Sequence, residues 1–157
     1  MKRMTLAALA VLAATPMAQA QDHSAEAVAS AILHAHRAQD VTLMLPHMNE
    51  TNQRFVQSYA EDPSQFGDVF EGNRAQAGVA WDGMILPARY TVEPDGTFQA
   101  VIPFAYETDA GFAPLSAGGG RYIAVVLTLD GPDDTTWGFE DVNYVSSGQY
   151  GGLLDSL

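Results

Sequence analysis

The chain has 157 residues, 19 acidic and seven basic, no cysteine, and a formal net charge of −12. This length suits one domain with its own core, and the lack of cysteine excludes disulfides, thiol nucleophiles and thiolate metal sites. The negative charge repels phosphate, so neither nucleic acid nor an anionic membrane surface is an expected partner.

The first twenty residues predict a secretory signal peptide. Lys2 and Arg3 precede the apolar run TLAALAVLAA, which is too short to span a bilayer, and Ala18-Gln19-Ala20 fits the small-x-small cleavage pattern. Cleavage after Ala20 removes two basic residues and no acid, which takes the charge from −12 to −14. Arg37, Arg54, Arg74, Arg89 and Arg121 are then the cations that remain. The expected product is a single domain over residues 21–157, periplasmic or secreted, with a flexible Gly-rich tail and no membrane insertion.

SAEAVASAILHAHRAQ predicts a helix capped by Ser24, with Glu26 in the first turn where a negative charge suits the helix dipole. Ala25, Val28, Ala29, Ile32 and His36 share one face on a 3.6 period, while His34 projects to nearly the opposite side. Asp40 can cap a second short helix, VTLMLPHM, interrupted near Pro46. ETNQRFVQSYAED is a third helix closed by Pro63, and SQFGDVFEGNRAQAGV is a weaker candidate because of its interior glycines.

From Met84 the period changes to two. MILPARYTV and TFQAVIPFAYE flank Glu93-Pro94-Asp95-Gly96, a turn sequence, and predict a hairpin. Met84, Leu86, Ala88, Tyr90 and Val92 fall on one face of the first strand; Phe98, Ala100, Ile102, Phe104 and Tyr106 fall on one face of the second. Pro87 and Pro103 cannot donate to a ladder, so the sheet should bend, bulge or stop pairing there. APLSAGGG reads as a loop, and RYIAVVLTLD and TTWGFEDVNYV as a second hairpin around Gly131-Pro132-Asp133-Asp134.

Helices followed by antiparallel strands imply an α+β domain with the helices on one face of a curved sheet of about four strands. AQDVTLMLPHM, after the opening helix, resembles the second short helix of the cystatin-like, nuclear-transport-factor-like superfamily. AVVLTLDGPDDTTWGFEDV resembles that superfamily's closing hairpin, an apolar strand and turn followed by a Trp, an aromatic and acidic residues. The resemblance runs over residues 24–145 and implies a cone-shaped fold, with a bent sheet around the long helix and an apolar cavity inside. Members include isomerases, dehydratases and cyclases as well as non-catalytic binding or accessory domains, so the fold alone does not assign function.

On that reading the pocket candidates are His36, Tyr90, Phe104, Tyr106, Trp137 and Asp141. Core packing accounts for the aromatics, which follow strand alternation, and a local hydrogen bond, to Asp40 for instance, would account for His36. Asp141 and Asn143 share strand parity with Trp137 and Phe139 and would point inward with them. Val142 and Tyr144 have the opposite parity, and a bulge, or a strand buried on both faces, would reassign the inward set.

No metal or other cofactor is expected. His34 and His36 diverge by about 200° on a helix, so they cannot share an ion. A start at Gln21-Asp22-His23 matches the amino-terminal copper and nickel motif through one residue, which chance explains. Asp130, Asp133 and Asp134 lack a calcium-loop spacing, Gly118-Gly119-Gly120 does not lie between a strand and a helix, and Ser146-Ser147-Gly148 is not a nucleophile elbow.

The expected function is therefore an exported, non-catalytic binding or accessory domain. Its partner would be a small apolar molecule or a periplasmic protein, and a homodimer through the sheet is compatible with the fold. The alternative is a cofactor-free isomerase or hydro-lyase of the ketosteroid isomerase or polyketide cyclase type, in which His36 or Asp141 moves a proton and a tyrosine stabilises the oxyanion.

Overall fold

The computed structural model describes residues 24–58, 76–119, 121–129 and 135–145. The expected signal peptide and Gln21-Asp22-His23 start, the helix stop expected at Pro63, most of the 64–79 segment, the turn expected at 130–134 and the tail expected after residue 145 lie outside these residues.

Helix α1 runs from Ala25 to Ala38 as its periodicity predicts. Ser24 accepts a hydrogen bond from the Ala27 N–H at 3.2 Å, and the helix ends at Gln39, whose φ of 51° lies in the left-handed region. The predicted stripe is its buried side, widened by Leu33 and Ala35. Helix α2, Val41–Met44, is capped by Asp40, whose carboxylate accepts from the Thr42 hydroxyl at 2.5 Å and the Thr42 N–H at 2.9 Å. Those bonds hold the Asp40 carboxyl below its ordinary range. At Pro46 the chain tightens into a 3-10 turn, Leu45–His47.

Helix α3, Glu50–Ser58, is tied to the sheet at its first turn. The Asn49 side-chain oxygen accepts from the Asn52 N–H at 2.9 Å, an N-cap. The Asn49 N–H donates to the Phe139 carbonyl at 3.0 Å, and the Asn52 amide donates to the Phe139 and Glu140 carbonyls at 2.9 and 2.6 Å. Gly138 makes this approach feasible, because a Cβ there would lie 2.6 Å from the Asn49 Cα and 2.8 Å from its N. Backbone cannot yield as a flexible side chain can, so Gly138→Ala is expected to lower the unfolding free energy by about 1–3 kcal/mol. Urea denaturation of the purified variant measures this.

Among the described residues five antiparallel strands follow: β1 Arg89–Val92, β2 Phe98–Thr108, β3 Gly111–Pro114, β4 Arg121–Thr128 and β5 Gly138–Val145. The order is β1-β2-β4-β5, with β3 pairing the far end of β2. Because β4 runs along nearly all of β2, β1 and β3 share the other side of β2. Strand β3 was not expected. Its four residues fold back after a two-residue turn, Asp109-Ala110, and Gly111 supplies the φ of 121° that this return needs. The strand predicted from Met84 begins only at Arg89. Before it, the Leu86 N–H donates to the Pro103 carbonyl at 2.9 Å and the Ala88 N–H to the Glu26 carboxylate at 2.9 Å. Both prolines act as their chemistry requires: the β1 ladder ends short of Pro87, and the β2–β4 register shifts between Pro103 and Ala105.

The cone is not what forms, and the likeness to the cystatin-like, nuclear-transport-factor-like superfamily is overturned with it. The sheet is neither curled nor closed; β1 and β5 are the two ends of an open array. A cone needs long strands bent around the helix. Here the would-be first half of β1 leaves the ladder, so the sheet stops where it would have to curl. The side facing α1 is filled: Ile32, Leu33, Ile102, Phe104, Ile123, Val125 and Leu127 are all fully buried in one core. Among the described residues no helix is long and apolar enough to cross a membrane.

Candidate functional site

The six residues singled out from the sequence do not converge. His36 is buried on α1, edge-on to Phe139 with ring centroids 6.1 Å apart, and Gly78 packs against its Cβ. The Asp40 carboxylate, one local partner expected for His36, caps α2 through Thr42. His34 instead meets the buried Trp81 edge-on at 4.8 Å. Phe104 is the extra residue of the β2 bulge and lies wholly in the core.

Tyr90 and Trp137 do come together, with ring centroids 5.7 Å apart, at the margin of the helix-facing side. Tyr90 is nevertheless 59% exposed. Partial burial, and then the Glu26 carboxylate, hold its phenol above the ordinary range. Tyr106 faces the other way. It pairs with Tyr122 across the ladder, their rings stacked at 4.9 Å, and its hydrogen bond with Tyr122 followed by burial raises its phenol.

The position of Asp141 is decided by a bulge in β5. Val126 pairs with Asp141, but the next residue, Leu127, pairs with Phe139, so Glu140 is inserted. The insertion lets Phe139 and Val142 both enter the core although they are three residues apart. It sends Asp141 and Asn143 to the outer face with Val126 and Ala124. Asp141 and His36 therefore lie on opposite sides of the sheet.

On that outer face lies a groove of about 470 Å³. Val101 and Val126 line its floor, Arg89, Thr91 and Glu93 one wall, and Glu140, Asp141 and Asn143 the other. Arg89, Val101, Val126 and Asp141 form one row across four strands. Three interstrand spacings put about 14 Å between the ends of that row. The Arg89 guanidinium on one wall has the fork geometry that matches a carboxylate; opposite it, the Asp141 carboxylate accepts from the Val142 N–H at 2.8 Å and the Glu140 carboxylate from the Asn49 side-chain nitrogen, each with acceptor capacity beyond that bond. Among the described residues no group of three or more histidine, aspartate or glutamate side chains is placed to hold a metal ion.

Sequence reasoning missed this surface because it followed the apolar alternation. The complementary positions, Arg89, Thr91, Gln99 and Val101, carried the signal as the other face of the same strands. Asn49 was also missed, although an asparagine immediately before ETNQ is a recognisable cap position. No protein-family model, no curated protein and no solved structure matches the chain.

Proposed function

We propose that the protein is exported by its N-terminal signal sequence and acts outside the cytoplasm as a non-catalytic binding domain, with the outer-face groove as its ligand surface. The observation that carries this reading is the cross-strand row of Arg89, Val101, Val126 and Asp141. It sets opposite charges at the two ends of an apolar floor and suits a small zwitterion of dipeptide size. The filled interface under α1 argues for such a polar ligand over the apolar one expected from the sequence. The sheet between His36 and Asp141 argues against the proton-transfer pair that the isomerase reading requires.

Titration of ¹⁵N-labelled protein with diglycine is the test. Shifts should centre on Arg89, Val101, Val126 and Asp141, and both Arg89→Gln and Asp141→Asn should weaken them. Shifts confined to residues on the α1 side, or none in the groove at saturating diglycine, overturn the reading. Export is tested by the intact mass of the protein recovered from its own host, which should begin at Gln21.

A further inference from the structure

We infer that β1 is a homodimerisation edge, along which two copies pair antiparallel about a two-fold axis at Thr91. The inference is independent of the ligand reading. Among the described residues β1 ends the sheet, and none of them pairs with its outer side. At the hairpin the Glu93 N–H donates to the Thr97 carbonyl at 2.9 Å. Peptide groups alternate along an antiparallel ladder, so Arg89, Thr91 and Glu93 face β2 while Tyr90 and Val92 present their N–H and C=O groups outward. Two copies can therefore bond through Tyr90 of one and Val92 of the other, twice over, with the two Thr91 residues opposed between them.

The side chains agree with this register. Face parity requires opposed residues to lie on the same side of the sheet. Centring on Thr91 sets Tyr90 against the second copy's Val92 on the helix-facing side, an aromatic against a β-branched residue. These two are 59% and 61% exposed in the single chain. On the groove side it sets Arg89 against the second copy's Glu93, an opposite-charge pair, and with five donors the guanidinium can serve that carboxylate alongside any other partner. Aromatic–β-branched, Thr–Thr and opposite-charge pairs are the combinations that stabilise antiparallel neighbours. The register also limits itself. Ala88 would oppose the second copy's Pro94, which has no N–H, while the Ala88 N–H is already held by Glu26. The two grooves would then adjoin, since Arg89, Thr91 and Glu93 form the wall nearest the axis.

Five paired residues make a small interface, so association should be concentration-dependent. In sedimentation the average mass should rise from monomer toward dimer between about 10 µM and about 1 mM. Val92→Pro removes an outward donor and leaves the ladder to β2 intact; it should stay monomeric with an unchanged circular dichroism spectrum. The chain has no cysteine, so single-cysteine variants report the register directly. Thr91→Cys opposes itself in a non-hydrogen-bonded pair at about 4.5 Å between Cα atoms, within disulfide reach. The two copies of Glu93→Cys stand four residues apart along the strand, about 13 Å, and cannot bridge. Rapid oxidation of Thr91→Cys to a dimer, with Glu93→Cys remaining monomeric, is the expected result. A wild-type mass that stays monomeric throughout, or equal cross-linking of the two variants, overturns the inference.

Discussion

Phe104→Ala should lower the unfolding free energy by about 3–5 kcal/mol, the largest loss expected from any single truncation among the described residues. Phe104 is fully buried and is the largest side chain in the core to be so. It occupies the bulge between Pro103 and Ala105 in β2, the strand that carries β1 and β3 on one side and β4 on the other. Truncation removes the transfer energy of the ring and leaves a void that neighbours can fill only by moving. Movement is restricted on both sides of the bulge: the Leu86 N–H holds the Pro103 carbonyl at 2.9 Å, and Ala105 is in register with Ile123. Phe104→Leu keeps most of the volume and should lose less than about 1.5 kcal/mol. Urea unfolding followed by tryptophan fluorescence and circular dichroism measures both. If the alanine variant lost no more than the leucine variant, the bulge would be repacking freely and the filled interface described here would be wrong.

The second large effect is expected at a polar side chain. Asn49 is 3% exposed, and it links two parts of the chain that are distant in sequence. Its side-chain oxygen caps α3 through the Asn52 N–H. Its side-chain nitrogen donates to the Thr128 hydroxyl at 3.2 Å and to the Glu140 carboxylate. Asn49→Ala should lower the unfolding free energy by about 2–4 kcal/mol. About 1 kcal/mol of this is the lost cap, and the rest is the loss of a donor from the buried Thr128 hydroxyl and from Glu140. Asn49→Asp separates the two contributions. It keeps the capping acceptor and adds a charge that suits a helix N-terminus, but it sets a carboxylate against Glu140. Its loss at neutral pH should therefore be relieved in part as the pH falls and one carboxylate takes up a proton, whereas the alanine variant should show no such recovery. Thermal unfolding between neutral and acidic pH distinguishes them; parallel pH profiles for the two variants would show that the Glu140 contact contributes nothing.

The loss at Asn49 and the overpacking at Gly138 concern one contact seen from its two sides. A cap on α3 and a glycine at the start of β5 let the helix be seated at the edge of the sheet, next to the inserted Glu140. The same insertion sends Asp141 into the groove. Stability and the charge layout of the outer face are thus coupled through a few residues of β5, and substitutions there should be scored for both.

Features set by near neighbours were readable from the letters alone. The cap at Ser24, the stripe of α1, the cap at Asp40, the interruption near Pro46 and the irregularity at Pro103 all rest on interactions within a few residues, and each formed as expected. The α+β class follows from the change of period near Met84. Tertiary structure alone decided the rest. A lone inserted residue inverts the parity of everything beyond it, and nothing in GFEDVNYV states which residue is inserted; that choice was made by the partners available on β4. Likewise, MILPA alternates well enough to be a strand, but its amides were taken by Glu26 and by Pro103, groups far along the chain. Local periodicity assigns a residue to a face, whereas curvature, strand ends and the meeting of side chains depend on which distant groups satisfy the backbone, and that is settled only when the whole chain packs.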